Sequence, residues 1–154
     1  MSECLSLQLS KTIKTARHRV FAAWTRPEEL VQWFAPGPLR VGNVTVDLRE
    51  AGQFRLSMIV PSHQTGAEVC LTFIGTYEKV VPDELLRFRW EVEGDPGKPT
   101  LVSVAFKDVD GGTEISLLQE QIHNEELLNR NRGGWTGMMD KLARLCDAET
   151  VDAM

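Results

Sequence analysis

A chain of 154 residues, 42% hydrophobic and 25% charged, is long enough to bury a sizeable single core and has a globular composition. A net charge of -5 without a basic run excludes nucleic acid and an anionic membrane surface as main partners. No apolar run approaches the roughly 18 residues of a membrane-spanning helix. The opening residues, MSECLSLQLSKTIK, alternate and include Glu3, which fits neither a secretory nor a myristoylation signal, so a cytoplasmic location is expected. Cys4, Cys70 and Cys146 match no zinc or redox spacing, so reduced thiols are expected.

Leu5, Leu7 and Leu9 alternate with Ser6, Gln8 and Ser10, which predicts a half-buried strand over residues 4–13. Thr15 is placed to cap a short helix with Val20, Phe21 and Trp24 on one face. Pro27 suits the first position of a second short helix, with Leu30, Trp33 and Phe34 as its apolar stripe. Ala35-Pro36-Gly37-Pro38 ends that helix.

From residue 41 the period is two. Val44, Val46 and Leu48 form one strand, and Phe54, Leu56, Met58 and Val60 the next. After a loop from Pro61 to Gly66, Val69, Leu71 and Phe73 lead to Tyr77, with a bulge expected at Gly75. Leu86, Phe88, Trp90 and Val92 alternate with Arg87, Arg89 and Glu91, and a loop is expected over Gly94 to Pro99. Val102, Val104 and Phe106 follow, then a tight hairpin at Asp108–Gly112. Ile115, Leu117, Gln119 and Gln121 share one parity, which places both amides in the interior.

The last stretch, 124–148, has helical spacing, with Trp135, Met138, Met139, Leu142, Leu145 and Cys146 on one face. Asn124 is the expected N-cap. Gly133, Gly134 and Gly137 lie inside this helix, each costing about 1 kcal/mol against Ala, which points to close backbone approach, a bend or empty room beside it. Successive antiparallel strands curve, and one long helix is the only large element left to cover their apolar face. The expected class is α+β, one domain over 1–154 with an ordered core of about 3–148.

RVFAAWTRPEELVQWFAPGP (19–38), DLREAGQFRLSM (47–58), GTYEKVVPDELLRFRWE (75–91), GGTEISL (111–117) and NRGGWTGMMDKLARL (131–145) stand in a familiar order and spacing. Together they resemble the activator of heat-shock-90 ATPase homologue-like family of the START-like, or SRPBCC, superfamily. The resemblance implies a helix-grip fold: a curved seven-stranded antiparallel sheet around a long C-terminal helix, two short helices after the first strand, and an interior cavity. The chain departs from the family at Ala51, before Gly52, and at Gln119 and Gln121, where a His or Thr is common.

No phosphate loop, metal motif or nucleophile elbow is present, so neither a cofactor nor a metal is expected. His18, His63 and His123 read as surface or helix-start residues, and Arg49, Arg55, Arg87 and Arg89 as an outer basic strip paired with nearby acids. Large rings and thioethers suit an adaptable apolar pocket. The expected ligand-binding residues are Trp33, Phe34, Phe54, Met58, Phe73, Phe88, Trp90, Val104, Leu117, Gln119, Trp135, Met138, Met139 and Leu142, with Gln119 as polar anchor.

Three functions follow in order. The first is a cytoplasmic protein, monomer or homodimer, that binds a small apolar or amphipathic molecule. The second is a stress-response module that docks a protein partner, as the chaperone activators do. The third is a cyclase- or hydrolase-like enzyme, which would need an acid–base pair inside the cavity.

Overall fold

Period-two patterning becomes seven antiparallel strands in the computed structural model, which describes residues 5–35, 39–61, 68–93 and 95–152. The elements are β1 (Leu5–Ile13), α1 (Arg17–Thr25), α2 (Pro27–Trp33), β2 (Arg40–Val46), β3 (Gln53–Pro61), β4 (Glu68–Val81), β5 (Leu85–Val92), β6 (Asp95–Val109), β7 (Gly112–Ile122) and α3 (Glu125–Asp152). Their order in the sheet is β1-β7-β6-β5-β4-β3-β2. The two short helices carry the chain from one edge to the other, and the strands then meander back until β7 pairs with β1.

Pro27 begins α2 with Glu28 and Glu29 in the first turn, where a helix favours negative charge. Arg19 of α1 and Glu29 of α2 pair at 2.8 Å and hold the two helices together. α3 rests mainly on β1, with further contacts to β7, α1 and α2. Its first turn is capped by Asn124, whose Oδ1 accepts the Leu127 N–H at 2.8 Å.

The structure corrects several local expectations. Thr15 does not cap α1: the N-cap is Ala16, without a side-chain bond, and the Thr15 carbonyl accepts the Thr113 hydroxyl at 2.8 Å, tying the start of α1 to β7. Leu48 lies beyond the end of β2 and is exposed. Most of the expected 94–99 loop is strand, because β6 starts at Asp95 and Asp95 already pairs with Val92. Gln121 is exposed: it has φ 66°, the strand irregularity opposite Leu5–Leu7 breaks the alternation, and Ile122 turns inward instead. The expected Pro36–Pro38 helix stop lies outside the described residues, as does most of the 61–66 loop.

The glycines also behave differently from expectation. In α3, a Cβ at Gly133 or Gly137 would meet nothing within 4 Å and the helix runs unbroken, so neither close backbone approach nor a bend explains these two glycines, which lie at exposed and half-exposed positions. In β4 the register stays regular through Gly75 and shifts between Tyr77 and Lys79. Gly75 is there for close approach: the Phe54 ring lies over it, and a Cβ would sit 2.1 Å from the ring. Gly75→Ala should therefore destabilise by about 1–3 kcal/mol through overpacking. A urea melt with a loss below about 0.5 kcal/mol would mean that the ring swings aside freely.

Candidate functional site

Directly paired residues of neighbouring strands share a face, so the register defines what the concave side carries. Met58 faces Leu71, and Leu56 faces Phe73 beside Val92. Phe54, Gly75, Trp90 and Thr100 form the next row across the sheet. Tyr77, Phe88, Val102 and Gln119 form the one after. Burial rises along these rows. Leu71 is 40% exposed and Val69 42%, Phe73 and Trp90 are half-buried, and Phe54 and Phe88 are buried. α3 sits mainly over the β1 side and α2 over β2, and the apolar residues of β4 and β5 on the concave face, called the trough below, become more exposed toward the Val69 end.

The rings of the trough form one connected group. Trp90 stacks on Phe73 at 5.2 Å and on Phe54 at 5.7 Å, and Phe88 meets both Phe54 and Trp90 edge-on. Phe34, at the C-cap of α2, touches Phe54, Trp90 and Trp135 within 6.4 Å and so joins sheet, short helices and α3. Edge-to-face and offset contacts of this kind add about 0.5–1.5 kcal/mol each beyond area burial.

Of the residues singled out from the sequence, Phe34, Phe54, Phe73, Phe88, Trp90 and Trp135 are linked by ring contacts. Trp33 joins them through Phe34, but its indole N–H is committed to the Ala23 carbonyl at 2.9 Å, so it braces α1 against α2. Met58 faces the trough beside Leu71. Val104, Leu117, Met138, Met139 and Leu142 belong to the same core, with Val104, Leu117 and Leu142 fully buried.

The polar floor is a short hydrogen-bonded chain. The Trp135 indole donates to Gln119 Oε1 at 2.9 Å, and Gln119 Nε2 donates to Thr100 Oγ1 at 2.9 Å. An indole can only donate, so it fixes which end of the amide faces α3. All three side chains are buried. Among the described residues, Tyr77 Oη and Trp24 Nε1 are buried without a hydrogen-bond partner, an arrangement costing about 1–3 kcal/mol per group. Burial pushes the Tyr77 phenol well above its usual pKa, so it stays protonated.

Sequence reasoning missed Thr100, Tyr77, Val69 and Leu71 as parts of the site. Parity with Phe73 would have oriented Tyr77, Val69 and Leu71, whereas Thr100 was hidden beside an apparent loop.

Away from the trough the surface is ordinary. Arg87 and Arg89 face Glu78, each at 3.5 Å, and Arg49 pairs with Asp47 at 2.9 Å. Such exposed pairs contribute little stability. Lys141 donates to the Ala35 carbonyl, and burial, then the nearby Arg144, lowers its pKa. A cleft of about 320 Å³ lined by Asn43, Thr45, Arg55, Leu56, Ser57 and Thr72 lies over β2, β3 and β4. Another of about 200 Å³ lies by His123, Asn124 and Arg130 at the start of α3. Among the described residues no cluster of His, Cys, Asp or Glu is arranged to hold a metal, and no helix is long and apolar enough to cross a membrane.

A curved seven-stranded antiparallel sheet holding a long C-terminal helix, with two short helices at the crossover, is the helix-grip architecture of START-like proteins. The family model described as "Activator of Hsp90 ATPase homolog 1-like protein" matches residues 14–147, and the chain belongs to that family. Among solved structures it is similar to the AHSA1 protein of Silicibacter pomeroyi, at 23% identity and TM-score 0.79 over 94% of this chain and 99% of the other. A Chromobacterium violaceum protein is 21% identical at TM-score 0.77, over 92% and 97% of the two chains. DynU16, a protein from the dynemicin biosynthetic locus, is 18% identical at TM-score 0.69, over 90% of this chain and 46% of its own. At these identities the likeness is one of fold. No curated protein matches the chain.

Trp135 is 4% exposed, lies between Trp24 and Phe34, and donates to Gln119. Trp135→Ala should cost about 3–5 kcal/mol, the range for emptying a buried large aromatic. A urea melt that shows less than about 1 kcal/mol would contradict the central place of this ring.

Proposed function

We propose that this protein binds a small apolar or amphipathic molecule in the trough on the concave face, and that it does so in the cytoplasm. The observation that carries the reading is the gradient on one face of the sheet. Exposed Val69 and Leu71 lead to half-buried Phe73 and Trp90, and these to the buried rings and the Gln119–Thr100 pair. Apolar surface left in water forgoes about 25 cal/mol per Å², so an open apolar concavity favours an apolar occupant. An apolar recess with a few placed polar groups is the usual form of a small-molecule site.

The other readings have less support. A protein-docking role by analogy with the family's name would draw on exposed Val31 and Leu48, but singly exposed apolar side chains are normal on any surface. A cyclase- or hydrolase-like role would need an acid–base pair among the groups lining the trough. Those groups, among the described residues, are rings, aliphatic side chains, an amide and hydroxyls.

The test is titration with N-phenyl-1-naphthylamine, a neutral probe whose emission rises in apolar surroundings. Binding is expected in about the micromolar range, with a change in tryptophan emission because Trp90 lines the trough. Leu71→Glu, at an exposed position, should leave stability within about 0.5 kcal/mol and weaken binding about tenfold or more. If the native protein takes up no probe, the reading fails and the docking role replaces it.

A further inference from the structure

The buried polar atoms beneath the trough are unevenly used. Gln119 Oε1 is occupied by the Trp135 indole, and Thr100 Oγ1 already accepts from Gln119. The hydrogens left over are the second N–H of Gln119 and the hydroxyl proton of Thr100. The Tyr77 phenol and the Trp24 indole N–H, both buried, have no partner among the described residues. Tyr77 packs its ring against Phe54 at 5.3 Å and Phe88 at 6.4 Å, two of the rings that line the trough. Tyr77 and Gln119 stand in the same row across the sheet, with Phe88 and Val102 between them. Three strand spacings put their backbones roughly 14 Å apart, and on a curved sheet inward-pointing side chains converge.

Resting on the binding role proposed above, we infer that the ligand is a neutral molecule with an apolar body and separated carbonyl-type acceptors. Tyr77 Oη–H receives one acceptor, and the Thr100–Gln119 pair receives another. Neutrality follows from the surroundings. A buried cation needs a carboxylate and a buried anion needs a cation, and the paired rows from Leu56 to Gln119 on this face carry only rings, aliphatic side chains, a glycine, hydroxyls and an amide. The phenol supplies a proton at any working pH because burial keeps it un-ionised.

The experiment compares 2,6-diacetylnaphthalene with 2,6-diisopropenylnaphthalene, nearly the same shape without the acceptors, by equilibrium dialysis against the full chain. The diketone should bind about tenfold more tightly. Tyr77→Phe should lower that selectivity about fivefold by weakening the diketone alone, and adding Thr100→Val should lower it again. Because Tyr77→Phe removes a buried unpaired hydroxyl, a purely structural phenol would give a variant at least as stable and equally selective, which overturns the inference. Should Tyr77→Phe fail to fold, unchanged selectivity in Thr100→Val overturns it. A native protein that binds both molecules equally overturns the acceptor requirement and leaves the apolar-binding role standing. If neither binds, that role falls too.

Discussion

The chain Trp135–Gln119–Thr100 is the constraint on which the arrangement depends. It joins the middle of α3 to β7 and β6 through buried bonds whose donors and acceptors cannot be exchanged. A buried amide that loses a partner leaves an uncompensated polar group, so alternative seats for the helix are penalised beyond the loss of packing. Lys11 with Asp140 ties α3 to β1, and Lys141 with the Ala35 carbonyl ties it to the end of α2. The helix is held over the β1 half of the sheet and α2 over β2, while Val69 and Leu71 at the outer end of β4 stay exposed.

That asymmetry divides the interior into two regimes. On the side of β1, β7 and α1, aliphatic residues such as Ile13, Val20, Ile115, Leu117 and Leu142 are fully buried in close packing. On the side of β3, β4 and β5, flat rings meet in stacked and edge contacts, and the outermost are partly in water. The two halves of the core therefore differ in kind, with interlocked branched side chains on one side and ring contacts on the other.

Much of this was legible in the chain. Period-two alternation placed the strands, the three-and-four spacing aimed Trp135 inward, and shared parity with Leu117 put Gln119 in the core. What escaped depends on context that periodicity does not carry. Gln121 follows the same parity but sits at a positive φ, so the pattern points the wrong way. Thr100 borders a run of glycine and prolines that reads as loop, yet pairing with β5 extends the strand through it. Alternation identifies the face on which Val69 and Leu71 lie. Whether anything covers that face depends on where α3 comes to rest, a long-range outcome.

The crossover has a consequence for how the chain is made. β1 is synthesised before the other six strands, but its neighbour in the sheet is β7, so Leu5 must wait for Ile122. Contacts of such large sequence separation slow folding, since the entropy of closing the intervening loop is lost before the pairing compensates. Until then a nascent chain carries an alternating leucine strand with both edges unpaired, the kind of segment that associates with other chains or is shielded by a holding factor. α3 emerges after all seven strands, and its packing completes the burial of β1.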